Sequence, residues 1–227
     1  MNIVRFIRIA ALLASTLLVT AASAAPKELE EAMSHDGLQK IKVKNIDLAY
    51  ARPGASLAGY NSVKLEPVDV AFRKDWNPTR TGSLIKLSTA ERENIRTSVA
   101  KIVFEEFTRE LQARSGYKVV AEAGPDVLRV KASVVNLYVN APDVPTAGRT
   151  RSYVVSAGQM TLFAELFDSE TGQVLARVVD HREAQSNGGM MSFSNSVMNR
   201  AEAETIASAW ARILRDRLDA AHGIGKK

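Results

Sequence analysis

The chain contains no cysteine. That absence excludes a disulfide framework, thiolate zinc and iron–sulfur sites, a cysteine nucleophile and lipid modification of an N-terminal cysteine. Histidine is scarce too: His35, His181 and His222 are the three present among 227 residues, too far apart to form a local metal motif. Charge of one sign is also missing, because 30 basic and 25 acidic residues alternate along most of the chain and leave +5 overall. A nucleic-acid reader would cluster its basic residues and interleave aromatics, so nucleic acid is set aside as a partner.

What is present is an ordinary globular composition, 46% hydrophobic and 24% charged. Met1 to Arg8 carries two arginines and no acid, Ile9 to Val19 is apolar, and Ala22-Ser23-Ala24 offers the small residues that a signal peptidase accepts. We expect a leader over residues 1–24 that is cleaved after Ala24, with an uncleaved anchor as the other reading. Loss of Arg5 and Arg8 brings the charge to about +3. The expected location is exported and periplasmic, peripherally associated with the outer membrane or cell wall, with no transmembrane span after cleavage.

Residues 25–45 read as a polar arm with one helical turn, 46–222 as a single domain and 223–227 as a tail. Ser62 to Phe72 alternates as a strand interrupted by Pro67, which implies an edge or a bulge. Ser88-Thr89-Ala90-Glu91 matches a capping box and starts a helix whose apolar stripe includes Ile95, Val99, Ile102, Val103, Phe107 and Leu111, with Gly116 placed to cap its end. Tyr117 to Val120 and Val127 to Val139 read as strands. Gly158 to Phe167 and Gln173 to Arg182 read as a hairpin around Asp168-Ser169-Glu170-Thr171-Gly172. A last helix, capped by Ser194 or Asn195, carries Trp210 on its apolar stripe and ends at His222-Gly223. The order strand, helix, four strands, helix predicts an α+β fold: a single largely antiparallel sheet with two long helices packed on one face.

Several strings, taken together and in order, resemble the bacterial domain-of-unknown-function 3313 family. They are Arg52-Pro53-Gly54 with Leu57, Gly59 and Tyr60; Glu66-Pro67-Val68; Asp75-Trp76; Gly124-Pro125-Asp126-Val127-Leu128; and Glu165-Leu166, Asp168-Ser169 and Thr171-Gly172 with Leu175-Ala176-Arg177. The resemblance implies an exported, often lipid-anchored envelope protein with no assigned activity, and this chain departs from it in having no cysteine to lipidate. The element order is also similar to small α+β modules of envelope proteins that bind other proteins.

Candidate chemistry is sparse. Asp168-Ser169-Glu170 reads as a turn rather than a calcium loop. Asp180-His181-Arg182-Glu183 reads as a surface charge ladder, with Asp180 and Arg182 on one face and His181 and Glu183 on the other. His35 and His222 have no companion for catalysis, and His222 suits a helix C-terminus. Trp76 is the candidate ligand-stacking residue, against a reading in which it covers the end of the core. Two long connections are candidate partner-binding surfaces. Residues 140–157 carry Arg149, Arg151 and Tyr153, either as a functional loop or as a hairpin extended through Arg151 to Ser156, and residues 186–193 carry Met190, Met191 and Phe193. The expected function is non-catalytic: an envelope-associated accessory protein that holds another envelope protein, the alternative being a module for a small molecule or cell-wall glycan. No catalytic residue, cofactor or metal is assigned.

Overall fold

The Ser88 hydroxyl accepts from the Glu91 amide at 3.2 Å and the Glu91 carboxylate accepts from the Ser88 amide at 2.7 Å, closing the expected capping box. The computed structural model describes residues 26–77, 86–113, 116–139, 152–154, 158–183, 192–194 and 196–224, so the leader lies outside the described residues. In chain order the elements are α1 (Pro26–Ser34), a single 3₁₀ turn (His35–Gly37), β1 (Gln39–Ile41), β2 (Leu48–Ala51), β3 (Ser62–Leu65), β4 (Asp69–Phe72), α2 (Thr89–Gln112), β5 (Lys118–Val119), β6 (Val127–Val139), β7 (Ser152–Val154), β8 (Gly158–Asp168), β9 (Val174–Glu183), β10 (Ser192–Ser194) and α3 (Ser196–Ala221).

The eight-stranded sheet has the order β1-β2-β9-β8-β6-β3-β5, with β4 also paired with β6. Its longest ladders, β6 with β8 and β8 with β9, are antiparallel, whereas β3 and β4 run parallel to β6. The α+β class is as expected, and the helices match the expectation in part, two of the three being long, 24 and 26 residues. Three features correct the expected order. Pro67 lies between two separate strands, β3 and β4, each in register with β6. The short β2, with β1 outside it, adds to the sheet beyond β9. A third helix, α1, packs by Met33 on Tyr50 and on the half-buried Leu48, Phe163, Val174 and Val179.

The two long helices lie side by side on one face, and they run in the same direction, since Glu106 of α2 faces Glu204 of α3 while Glu110, one turn on, accepts from Ser208, one turn further along α3. Val103, Phe107, Ala207, Trp210 and Ala211 close over Val70, Ala132, Val134, Leu162 and Ala164. Fully burying a side chain such as Val103 or Phe107 contributes about 1.5–3 kcal/mol. The other face of β8 and β9 carries Phe163, Glu165, Arg177 and Val179, as the period of two requires.

Asp180 overturns the surface-ladder reading. It points to the helix side of β9, is 2% exposed, and accepts from Trp210 Nε1 at 2.7 Å, Arg182 Nε at 2.5 Å and the Asp47 amide at 3.0 Å. A carboxylate can be buried where three donors replace water. Gly116 also has a different reason from the one expected: it does not adopt the left-handed conformation of a helix cap, but a Cβ there would sit 2.2 Å from the Leu111 carbonyl oxygen, so the chain can fold back over the last turn of α2 only without a side chain.

Candidate functional site

The two ends of the sheet differ in kind. At one end the turns are cross-tied. Arg52 donates from Nε to the Val174 carbonyl at 2.8 Å, the Tyr60 hydroxyl donates to Asp168 at 2.9 Å, and Ser169 Oγ bridges the amide and carbonyl of Gly124 at 3.0 and 2.9 Å. The Asp168 carboxylate accepts the Thr171 amide and hydroxyl, closing the hairpin turn in which Gly172 takes a φ of 70°. Those Thr171 bonds, joined by the one from Tyr60, hold Asp168 below its ordinary range against some desolvation. Burial and the Asp168 hydrogen bond push Tyr60 up to about 12. The Tyr117 hydroxyl donates to Asp219 at 2.8 Å, and burial with that bond pushes its ionisation upward. His222 sets Nδ1 2.8 Å from the Leu218 carbonyl, the helix C-terminal role expected of it.

The opposite end is where the long connections leave. β4 ends at Phe72, β6 at Val139 and β9 at Glu183, and β8 begins there with Gly158 opposite Val139. The N-termini of α2 and α3 reach the same end. Trp76 is 4% exposed and stacks on Phe72 at 4.2 Å with 10° between the rings, and its Nε1 donates to the Val139 carbonyl at 3.0 Å. The indole closes the end of the core rather than standing open to solvent. Around it the Arg92 guanidinium lies 5.5 Å from the Trp76 ring, that of Arg96 5.7 Å from Phe72, and that of Arg73 4.1 Å from Tyr138.

Sequence reading missed these three arginines, because the pairing joins α2 to β4 and the end of β6 and has no local motif. A bulge at Asn136, with a φ of 54°, aims Tyr138 at Arg73. On the outer face Thr161 Oγ1 meets His181 Nδ1 at 3.1 Å, and His181 Nε2 lies 3.6 Å from Glu183. Thr161 is 8% exposed, so this line of groups orients His181 and does not present a hydroxyl to a substrate.

Of the candidate partner-binding residues, Arg149, Arg151, Met190 and Met191 lie outside the described residues. Tyr153 and Phe193 belong to β7 and β10, which form a separate two-stranded antiparallel ribbon with Phe193 directly opposite Tyr153. This pairing corrects the reading in which residues near Arg151 to Ser156 extend the β8 hairpin: β7 pairs with the second connection instead. The ribbon joins the two connections that the sequence singled out separately.

The family model described as a protein of unknown function (DUF3313) matches residues 30–214, from α1 to most of α3. The chain belongs to this family. The strings that carry the resemblance are for the most part those cross-tied at the closed end of the sheet. No curated protein matches the chain. Among solved structures, the chain is similar to the PelC dodecamer from Paraburkholderia phytofirmans at 12% identity, over 74% of this chain and 98% of that chain, with a TM-score of 0.36. It is similar to a candidate lipoprotein from Caulobacter crescentus at 15% identity, over 75% and 96%, with a TM-score of 0.34. A protein of the family DUF330 from Xanthomonas campestris overlaps at 16% identity, over 76% and 91%, with a TM-score of 0.34. At scores this low none of these overlaps bears on what the chain binds.

Proposed function

We propose that this DUF3313 protein is a non-catalytic, exported accessory protein of the cell envelope that holds another envelope protein at the open end of its sheet. The observation that carries the reading is the pairing of β7 with β10, which sets Tyr153 and Phe193 at opposite register positions and ties the two long connections to each other. Tyrosine, arginine and methionine are types enriched at protein interfaces, and Arg149, Arg151, Met190 and Met191 belong to the same two connections. A rigid scaffold with one cross-tied end and one end given to long connections suits recognition by loops.

The test is site-specific photocrosslinking in cells, with the reactive side chain at Tyr153, at Phe193 or, as a control, at Gln173 in the closed-end turn. Adducts of one defined mass from Tyr153 and Phe193 and none from Gln173 are expected. Equal labelling at all three positions, or none at the ribbon, rejects the assignment.

A further inference from the structure

Away from the open end, the face of the sheet not covered by α2 and α3 carries a group of cations on β5, β3 and β6. Lys64 alternates with the core residues Val63 and Leu65, Arg129 and Lys131 alternate with Leu128, Val130 and Ala132, and Lys118 precedes the inward Val119, so all four side chains leave the same face. The parallel register sets Lys64 directly opposite Arg129, and Lys118 opposite Ser62 one strand further out. With strands about 4.8 Å apart and a rise of about 3.3 Å per residue, the four cations cover a flat patch roughly 10 by 13 Å.

Among the described residues the side-chain ammonium groups of Lys64, Lys118 and Lys131 have no ion-pair or hydrogen-bond partner. Arg129 is held in place: its guanidinium lies 4.3 Å over the Phe167 ring, its Nε is buried against the sheet, and its carboxylate neighbour among the described residues, Glu66, stands at 3.6 Å. Asp69 on β4 is the other acid on this part of the face. Glu165, opposite Lys131, is already held by Arg177 at 2.9 Å.

We infer that this face is a docking surface for an anionic phospholipid layer, separate from the protein-holding end. The arrangement favours a lipid layer over an acidic peptide. An extended peptide adds to a sheet at an edge strand and reads pockets along one line. These cations instead lie diagonally across three strands on one face, and a plane of headgroup charges meets all of them at once. Each lysine or arginine brought to an anionic surface contributes about 1 kcal/mol.

The experiment is co-sedimentation of the protein, isolated from cells expressing the full chain, with vesicles of phosphatidylcholine containing phosphatidylglycerol and with vesicles of phosphatidylcholine alone. Binding to the anionic vesicles only, weakening as salt is raised, is expected. The double variant Lys64→Gln/Lys131→Gln should lose about 30-fold in affinity. The double variant Lys42→Gln/Lys44→Gln removes the same charge beyond β1, at the far edge of the sheet, and should change affinity less than about twofold. Matching thermal unfolding of the two variants shows that both are folded. Equal losses from both variants, equal retention on the two kinds of vesicle, or capture by immobilised polyglutamate without vesicle binding would each overturn the inference.

Discussion

Trp210 donates its indole N–H to Asp180 at 2.7 Å where both residues are 2% exposed, so a helix of the cover and a central strand of the sheet share one buried polar contact inside an otherwise apolar core. Asp180→Ala removes an acceptor used by Trp210, Arg182 and the Asp47 amide and leaves those donors unmet, a change expected to cost about 3–5 kcal/mol. Trp210→Phe keeps most of the packing and leaves Asp180 with two donors, so it should cost about 1.5–3 kcal/mol. Urea unfolding of the two variants checks the order, and a larger loss for Trp210→Phe would contradict it.

Arg177 performs a different task on the other face. Its guanidinium meets Glu165 at 2.9 Å, Asp36 at 2.6 Å and the His35 carbonyl at 2.9 Å, tying the segment after α1 to the middle of the sheet. Arg177→Ala should cost about 3–5 kcal/mol because it strands the buried Glu165, whereas Asp36→Asn should cost less and act on α1 alone. Limited proteolysis should find cleavage near α1 in Asp36→Asn while the rest of the chain stays resistant.

Desolvation pushes Asp36 upward, but hydrogen bonds from Arg177 and His35 outweigh it and hold the carboxyl below its ordinary 3.8. A lowered acid contributes stability that is present above the unfolded value and lost as pH falls through the folded one. Protection of α1 from protease should therefore be full above about pH 4 and fall below it, and Asp36→Asn should remove that pH dependence.

Glu106 has the opposite sign. Burial among the helices raises its carboxyl above the ordinary 4.5, the nearby Arg109 opposing this and Glu204 and Glu110 adding to it. The folded state then binds the proton more tightly than the unfolded chain, so this group lowers stability as pH rises from 4.5 through the folded value. Glu106→Gln should be more stable than the parent at neutral pH and show no advantage well below pH 4.5, as read from melting temperature across the range.

At the cross-tied end the neutral Tyr60 phenol donates to Asp168, and its ionisation at about 12 stands above the ordinary 10. A raised phenol contributes stability that is present below pH 10 and lost as pH climbs towards 12. Ultraviolet titration should show two late-ionising tyrosines, of which one disappears in Tyr60→Phe while Tyr117 remains, and the variant should lose about 1 kcal/mol at neutral pH.

Local chemistry made some of these elements readable from the chain alone. Ser88 and Glu91 announce α2 within four residues, Asp168 to Gly172 announces a turn, and the alternation of Met160, Leu162, Ala164 and Leu166 announces β8. Leu48 to Ala51 offers no comparable signal, since its burial is set by β9, to which Leu48 is joined opposite Val179. Asp180 misleads for a related reason: alternation places it on the correct face, but only the arrival of Trp210 from α3 decides that this face is the interior. The open end was legible as composition, two unusual connections with interface residue types, and not as an arrangement, because the pairing of Tyr153 with Phe193 is a contact between segments 40 residues apart.

The register of β2 against β9 sets an order of events for a chain that emerges from its N-terminus first. Residues 48–51 are made early, yet their partners are residues 176–179, and α2 waits in the same way for α3 at 196–221. Neither the far edge of the sheet nor its helical cover can close until β9 and α3 have been made, and such distant contacts form slowly. The native sheet therefore assembles in whichever compartment receives α3.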